Sequence, residues 1–131
     1  MALMVPDVGE VEMLSRILNA TSTGNVVLHL YTSDTSQDEG DTVATYTEED
    51  DASYAAVTLT GGSWTVATSG GTTTAEYAQQ DFTIGGATTV YGYYVTDSGG
   101  TTLLWAERFG SAATLGAGGG TISVTPKITL D

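Results

Sequence analysis

The chain holds one imidazole, His29, and three other basic side chains, Arg16, Arg108 and Lys127, against sixteen Asp and Glu and no cysteine. Acid–base or nucleophilic chemistry would have to be made from these. A general base near neutral pH is usually His, or a Lys or carboxylate whose pKa has been moved by burial or charge, and an activated Ser or Thr needs such a base beside it. His29 stands in VVLHLY with no sequence neighbour suited to orient it, so we expect a packed or hydrogen-bonded structural residue. There is no GxSxG elbow to present a nucleophile, and GAGGG at 116–120 is neither a dinucleotide loop nor a P-loop. Paired carboxylates for glycoside hydrolysis are defined by separation in space, which the sequence does not give. The expectation is a chain that binds or builds and is not an enzyme. No catalytic, cofactor-binding or metal-binding residue is assigned, and no cofactor.

Two acidic clusters, SDTSQDEGD at 33–41 and EEDDAS at 48–53, flank TVATYT, which reads as a short strand. Carboxylate oxygens suit calcium, but the spacing fits no EF-hand loop, and two solvated acidic loops are the simpler expectation. A net charge of -13 argues against binding nucleic acid or an anionic membrane, both of which need Lys or Arg against phosphate. No run approaches the roughly 20 apolar residues of a membrane span. Met1 to Pro6 is too short and lacks the basic start expected of a secretory leader.

The elements around these residues divide into two parts, an N-terminal apolar segment and helix over 1–20 and a single β domain over 21–131. After Asp7, a candidate N-cap, Val8, Val11, Leu14 and Leu18 recur at helical spacing, with Met13 and Ile17 widening the apolar face. From Gly24 the period becomes two. Val26, Leu28 and Leu30 share one face and Val27, His29 and Tyr31 the other, as in a strand covered on both sides. Further strands are expected near 55–60, 63–68, 73–84, 88–96, 101–109 and 121–130. Glycine pairs at 61–62, 70–71, 85–86 and 99–100 read as hairpin turns, and 111–120 as a flexible surface connection. In the last strand Ile122, Val124, Pro126, Ile128 and Leu130 face one way. Pro126 cannot donate to a ladder, so that strand lies at an edge, bends, or passes between sheets. The fold class is mainly β: an antiparallel β-sandwich, jelly-roll-like, with a short N-terminal α-helix.

Aromatic mass concentrates in VYGYYVTD and LLWAERF, which should pair about Ser98-Gly99-Gly100. Strict alternation puts Tyr91, Tyr93 and Val95 on one face and Val90, Gly92 and Tyr94 on the other, and sets Leu103, Trp105 and Phe109 against Leu104 and Ala106. Glu107 and Arg108 must point to opposite faces, and Arg108 and Arg16 are expected to meet carboxylates. An exposed Tyr91, Tyr93 or Trp105 would instead suit a carbohydrate platform.

VPDVGEVEMLSRIL, VYGYYVTDSGGTTLLWAERF and ISVTPKITLD together resemble small structural proteins of tailed bacteriophages, most like capsid cement or decoration proteins. The resemblance covers both ends and the aromatic hairpin, not the acidic region 34–51. It implies a virion protein on the capsid exterior, commonly a homotrimer, that binds the major capsid protein and stabilises contacts between its copies. The segment 1–20 is then the expected docking or trimer contact. A tail, neck or fibre-base component, and a carbohydrate-binding β-sandwich module, are the alternatives.

Overall fold

In the computed structural model the described residues are 2–6, 9, 24–69 and 72–130. They form ten strands: β1 Ala2–Met4, β2 Val26–Tyr31, β3 Val57–Leu59, β4 Thr65–Ser69, β5 Thr72–Glu76, β6 Gln80–Ile84, β7 Thr88–Asp97, β8 Leu103–Leu115, β9 Gly120–Val124 and β10 Lys127–Leu130. Every pairing is antiparallel. One sheet has five strands in the order β1-β8-β7-β2-β3, a second has the order β10-β5-β4, and β6 pairs with β9. The mainly β, antiparallel expectation therefore holds. The helix expected after Asp7, with Arg16, lies outside the described residues.

The period-two pattern of β2 is realised. Val26, Leu28 and Leu30 enter the main apolar cluster, while Tyr31 joins a second cluster on the opposite face. The main cluster draws from the five-stranded sheet and also takes Phe82 and Ile84 from β6, Ile122 and Val124 from β9, and Ile128 from β10. One face of the large sheet is thus closed by the chain's own later strands.

Those strands form one bent ribbon. Glu76 opposes Lys127 and Gln80 opposes Val124, so four steps on one strand meet three on the other. At the break, Tyr77 N–H donates to the Pro126 carbonyl at 2.9 Å, the length of an ordinary ladder bond. All three roles open to Pro126 are met: β9 and β10 each lie at a sheet edge, the run bends, and it passes from the pairing with β6 to that with β5; the expected long strand 73–84 breaks at 77–79 at the same point. Ile122, Val124, Pro126 and Ile128 are buried and Ser123, Thr125 and Lys127 exposed, as alternation requires.

Of the four glycine pairs, 99–100 closes a hairpin, between β7 and β8, and 70–71 lies outside the described residues. The other two lie between strands that do not pair with each other, so they carry the chain between sheets. The β7–β8 turn is built by Asp97, whose Oδ1 accepts from the amides of Thr101 and Thr102 at 2.8 and 3.0 Å, with Gly100 at φ 71°. β8 runs on to Leu115, so half of the expected flexible connection is strand. TVATYT is not a strand either. Val43–Thr45 is a single 3-10 turn, begun where Thr42 N–H donates to Thr45 Oγ1 at 3.1 Å.

Strict alternation fails in the β7–β8 hairpin, for a local reason. Val95 opposes Trp105 but Thr96 opposes Leu103, which leaves Leu104 as an extra residue; farther along, Val90 opposes Ala113 and Gly92 opposes Arg108, two steps against five. A bulge re-aims the side chains beyond it. Leu104 and Trp105 consequently both enter the main core, Leu103 and Ala106 the second cluster, and Tyr91 packs with the second cluster in place of the first.

At the start of the chain, β1 pairs with β8 at Ala106 to Arg108, and Pro6 is buried. A Cβ on Gly9 would stand 1.9 Å from the Leu104 carbonyl oxygen, so only glycine permits that approach. This part of the opening segment is used within the subunit, as an edge strand of the large sheet.

Candidate functional site

The outer face of the large sheet gathers the chemistry-bearing residues. β2 and β7 run side by side with His29 opposite Tyr94, and the two rings stack at 4.6 Å and 9°. Tyr46, delivered by the turn that follows Thr42–Thr45, stacks on Tyr94 at 5.4 Å and meets Tyr31 at 4.8 Å. The acidic segment therefore lies across this face and closes it.

His29 has two side-chain partners. Nδ1 lies 2.8 Å from Glu48 Oε1, and Nε2 lies 3.0 Å from Thr96 Oγ1. Hydroxyl, imidazole and carboxylate in that order is the arrangement of a nucleophilic triad. Two facts argue against that use. Thr96 is 0% exposed, so no substrate reaches its hydroxyl. The hydroxyl is also placed to donate to the Asp97 carbonyl at 2.9 Å, which makes its oxygen an acceptor for His29. Glu48 is shared with Tyr54, whose O–H donates to Oε1 at 2.9 Å and whose oxygen accepts from Leu30 N–H at 3.0 Å. Burial, and then the neighbouring Glu48 charge, push the Tyr54 phenol well above its ordinary range. The constellation is a clamp between the acidic segment and β2.

Other carboxylates of the segment act in the same way. Glu49 is buried; its Oε1 accepts from the amides of Asp50 and Asp51, and its Oε2 from Thr88 Oγ1 at 2.6 Å. Asp51 Oδ1 accepts from the amides of Ser53 and Gly85 at 2.8 and 2.9 Å, and these bonds, Gly85 first, hold its carboxyl below the usual aspartate value. Asp41 Oδ2 accepts from Tyr46 O–H at 2.7 Å and from Asp38 N–H at 2.9 Å. Burial and that hydrogen bond raise the Tyr46 phenol far above its normal range. The two acidic stretches are loops, and Asp34, Asp38, Glu39, Glu48 and Asp50 are exposed as expected; Glu49 is buried, and several of the acids also accept hydrogen bonds that the sequence did not show. Among the described residues no group of three His, Cys, Asp or Glu side chains is placed to hold a metal ion.

Arg108 meets a carboxylate, as expected. It pairs with Asp34, donates from Nη1 to the Thr35 carbonyl at 2.8 Å, and lies over the Tyr91 ring at 5.1 Å. The Asp34 hydrogen bond is the main cause of its raised pKa. Beneath this pair Tyr31 is fully buried, and desolvation pushes its phenol up to about 12. Glu107, on the other face of β8, accepts from Tyr93 O–H at 2.5 Å. Burial and this bond raise the Tyr93 phenol above its ordinary range.

Tyr93 and Trp105 are both buried, so neither offers a ring to a sugar, and Tyr91 is shielded by Arg108. The chain matches no protein-family model and no curated protein. Sequence reading missed Glu48, Thr96, Glu49 and Asp51 as partners. They lie 19, 67, 39 and 34 residues from the groups they hold, beyond any local spacing.

Proposed function

We propose that this chain is a non-enzymatic virion structural protein, a capsid cement or decoration protein that binds the outside of a tailed-phage head and stabilises contacts between major capsid proteins. The observation that carries this reading is the internal use of the chemistry-bearing groups. His29, Glu48, Thr96, Arg108 and Asp34 are committed to holding one segment onto one sheet face. What remains for function is surface, and the resemblance of the two ends and the aromatic hairpin to phage decoration proteins supplies the partner. The fold we infer is a β-sandwich, the large sheet against the bent ribbon. Nested pairings, β1 with β8 and β2 with β7 around the β4–β5 hairpin, support a jelly-roll-like winding, from which the adjacency of β7 and β8 departs.

A cement acts by burying surface between several shell subunits, which adds interface free energy and slows rupture. An excess of carboxylates suits the outer side of the shell better than the DNA-filled interior. Trimeric association fits attachment at threefold positions. Adding the purified chain to heads that lack it tests the reading. Saturation at a copy number comparable with that of the capsid protein, with heads that rupture at higher temperature, is expected. Binding confined to a single ring at the neck would favour the tail reading, and no binding would refute both.

A further inference from the structure

Glu107 is a buried carboxyl that, among the described residues, has no ion-pair partner. It is 3% exposed, and its carboxylate has one side-chain hydrogen bond, from Tyr93. Among the described residues the ion pairs are His29 with Glu48 and Arg108 with Asp34, and none of their basic nitrogens, nor that of Lys127, lies within 4.0 Å of Glu107. Enclosing a carboxylate is costly unless an opposite charge or several donors compensate it, and one phenol supplies a single donor. The residue lines a depression of about 360 Å³ between β7, β8, β5 and the Pro126 corner. Glu76, Phe109, Thr125 and Lys127 also line it.

We propose that this depression receives the guanidinium or ammonium head of an Arg or Lys side chain from a partner protein, with Glu107 as its countercharge. Glu76 adds a second carboxylate to the wall, and the Phe109 ring offers a face on which a cation can rest. Lys127 opposes Glu76 in the β5–β10 register and also lines the depression, its backbone N–H and carbonyl both 3.4 Å from the Tyr93 hydroxyl. A planar guanidinium can pair with a carboxylate through two N–H donors and rest flat on an aromatic ring, which a free alkyl diamine does not do. The net charge of -13 draws a basic partner surface toward the site. The inference goes beyond the capsid reading and stands whether or not the partner is a capsid protein.

The test is an amide-resolved NMR titration of the full chain with N-acetyl-arginine methylamide, repeated with putrescine. Saturable shifts confined to Ser123–Lys127 and the residues around Tyr93 are expected, with the arginine derivative the tighter binder. Glu107→Gln should weaken that binding by at least about tenfold. Glu76→Gln, at an exposed residue, should weaken it less and keeps the test open if the first variant does not fold. Absence of localised shifts, unchanged affinity in both variants, or tighter binding of putrescine would overturn the proposal. So would shifts that appear only in Lys127→Ala, since Lys127 would then be the occupant.

Discussion

The two faces of the five-stranded sheet are closed by different physics. On the inner face Val26, Leu28, Leu30, Val90 and Val95 meet Phe82, Ile84, Ile122 and Val124, and the contact is apolar burial that tolerates small shifts. On the outer face Tyr31 and Tyr94 are covered by a segment rich in acids that contributes Tyr46, and directional bonds accepted by Glu48, Glu49 and Asp34 hold the cover down. The lesson is that an acid-rich stretch can be part of a fold when some of its carboxylates find donors. Its charge then serves attachment as well as solubility.

The largest expected separation of the two faces comes from Leu28→Ala. Leu28 is fully buried, and truncation should cost about 2–5 kcal/mol of global stability, read as a lower urea midpoint at unchanged slope. Gly92→Ala strikes the seam between the faces: its Cβ would lie 2.1 Å from the Glu107 carbonyl oxygen and 2.6 Å from the Tyr31 hydroxyl. Backbone must move, and a loss of about 1–3 kcal/mol by the same measurement is expected. Glu49→Ala leaves two amides and the Thr88 hydroxyl without their acceptor, at about 1–3 kcal/mol. Limited proteolysis should then cut within 48–56 before the rest of the chain opens; simultaneous loss of all strands would erase the contrast.

The smallest effect concerns pH. The folded carboxyl of Asp51 titrates below its unfolded value of about 3.9, so its contribution is present above that pH and is lost as pH falls through the folded value. Asp51→Asn should flatten the dependence of stability on pH below about 4 and leave it unchanged near neutrality. An acid titration followed by tryptophan fluorescence measures the difference. A steeper acid dependence in the variant would contradict the assigned role.

The same contrast explains what the sequence disclosed. Inner-face residues of β2 and of the 120–130 run were legible because alternation is local, and Pro126 announced its break by lacking an N–H. The hairpin of β7 and β8 was legible as a pair, but its bulges were not, since nothing in LLWAERF marks Leu104 as the extra residue. The outer face was hidden for a different reason. His29 and Glu48 are 19 residues apart, and Arg108 and Asp34 are 74 apart, so each partner is chosen by topology. The depression at Glu107 was hidden likewise, because it needs β5, β7, β8 and the Pro126 corner together.

The central claim is that 32–56 is a fixed cover on the outer sheet face, and amide hydrogen exchange tests it most directly. Thr32 N–H donates to the Thr47 carbonyl at 2.8 Å, Glu49 N–H to the Leu30 carbonyl at 3.0 Å, and Gly85 N–H to Asp51. These three amides should exchange far more slowly than an unstructured peptide of the same sequence, and Glu49→Ala should release them before those of β2 and β7. Exchange of the three at peptide rates in the intact protein would contradict the account.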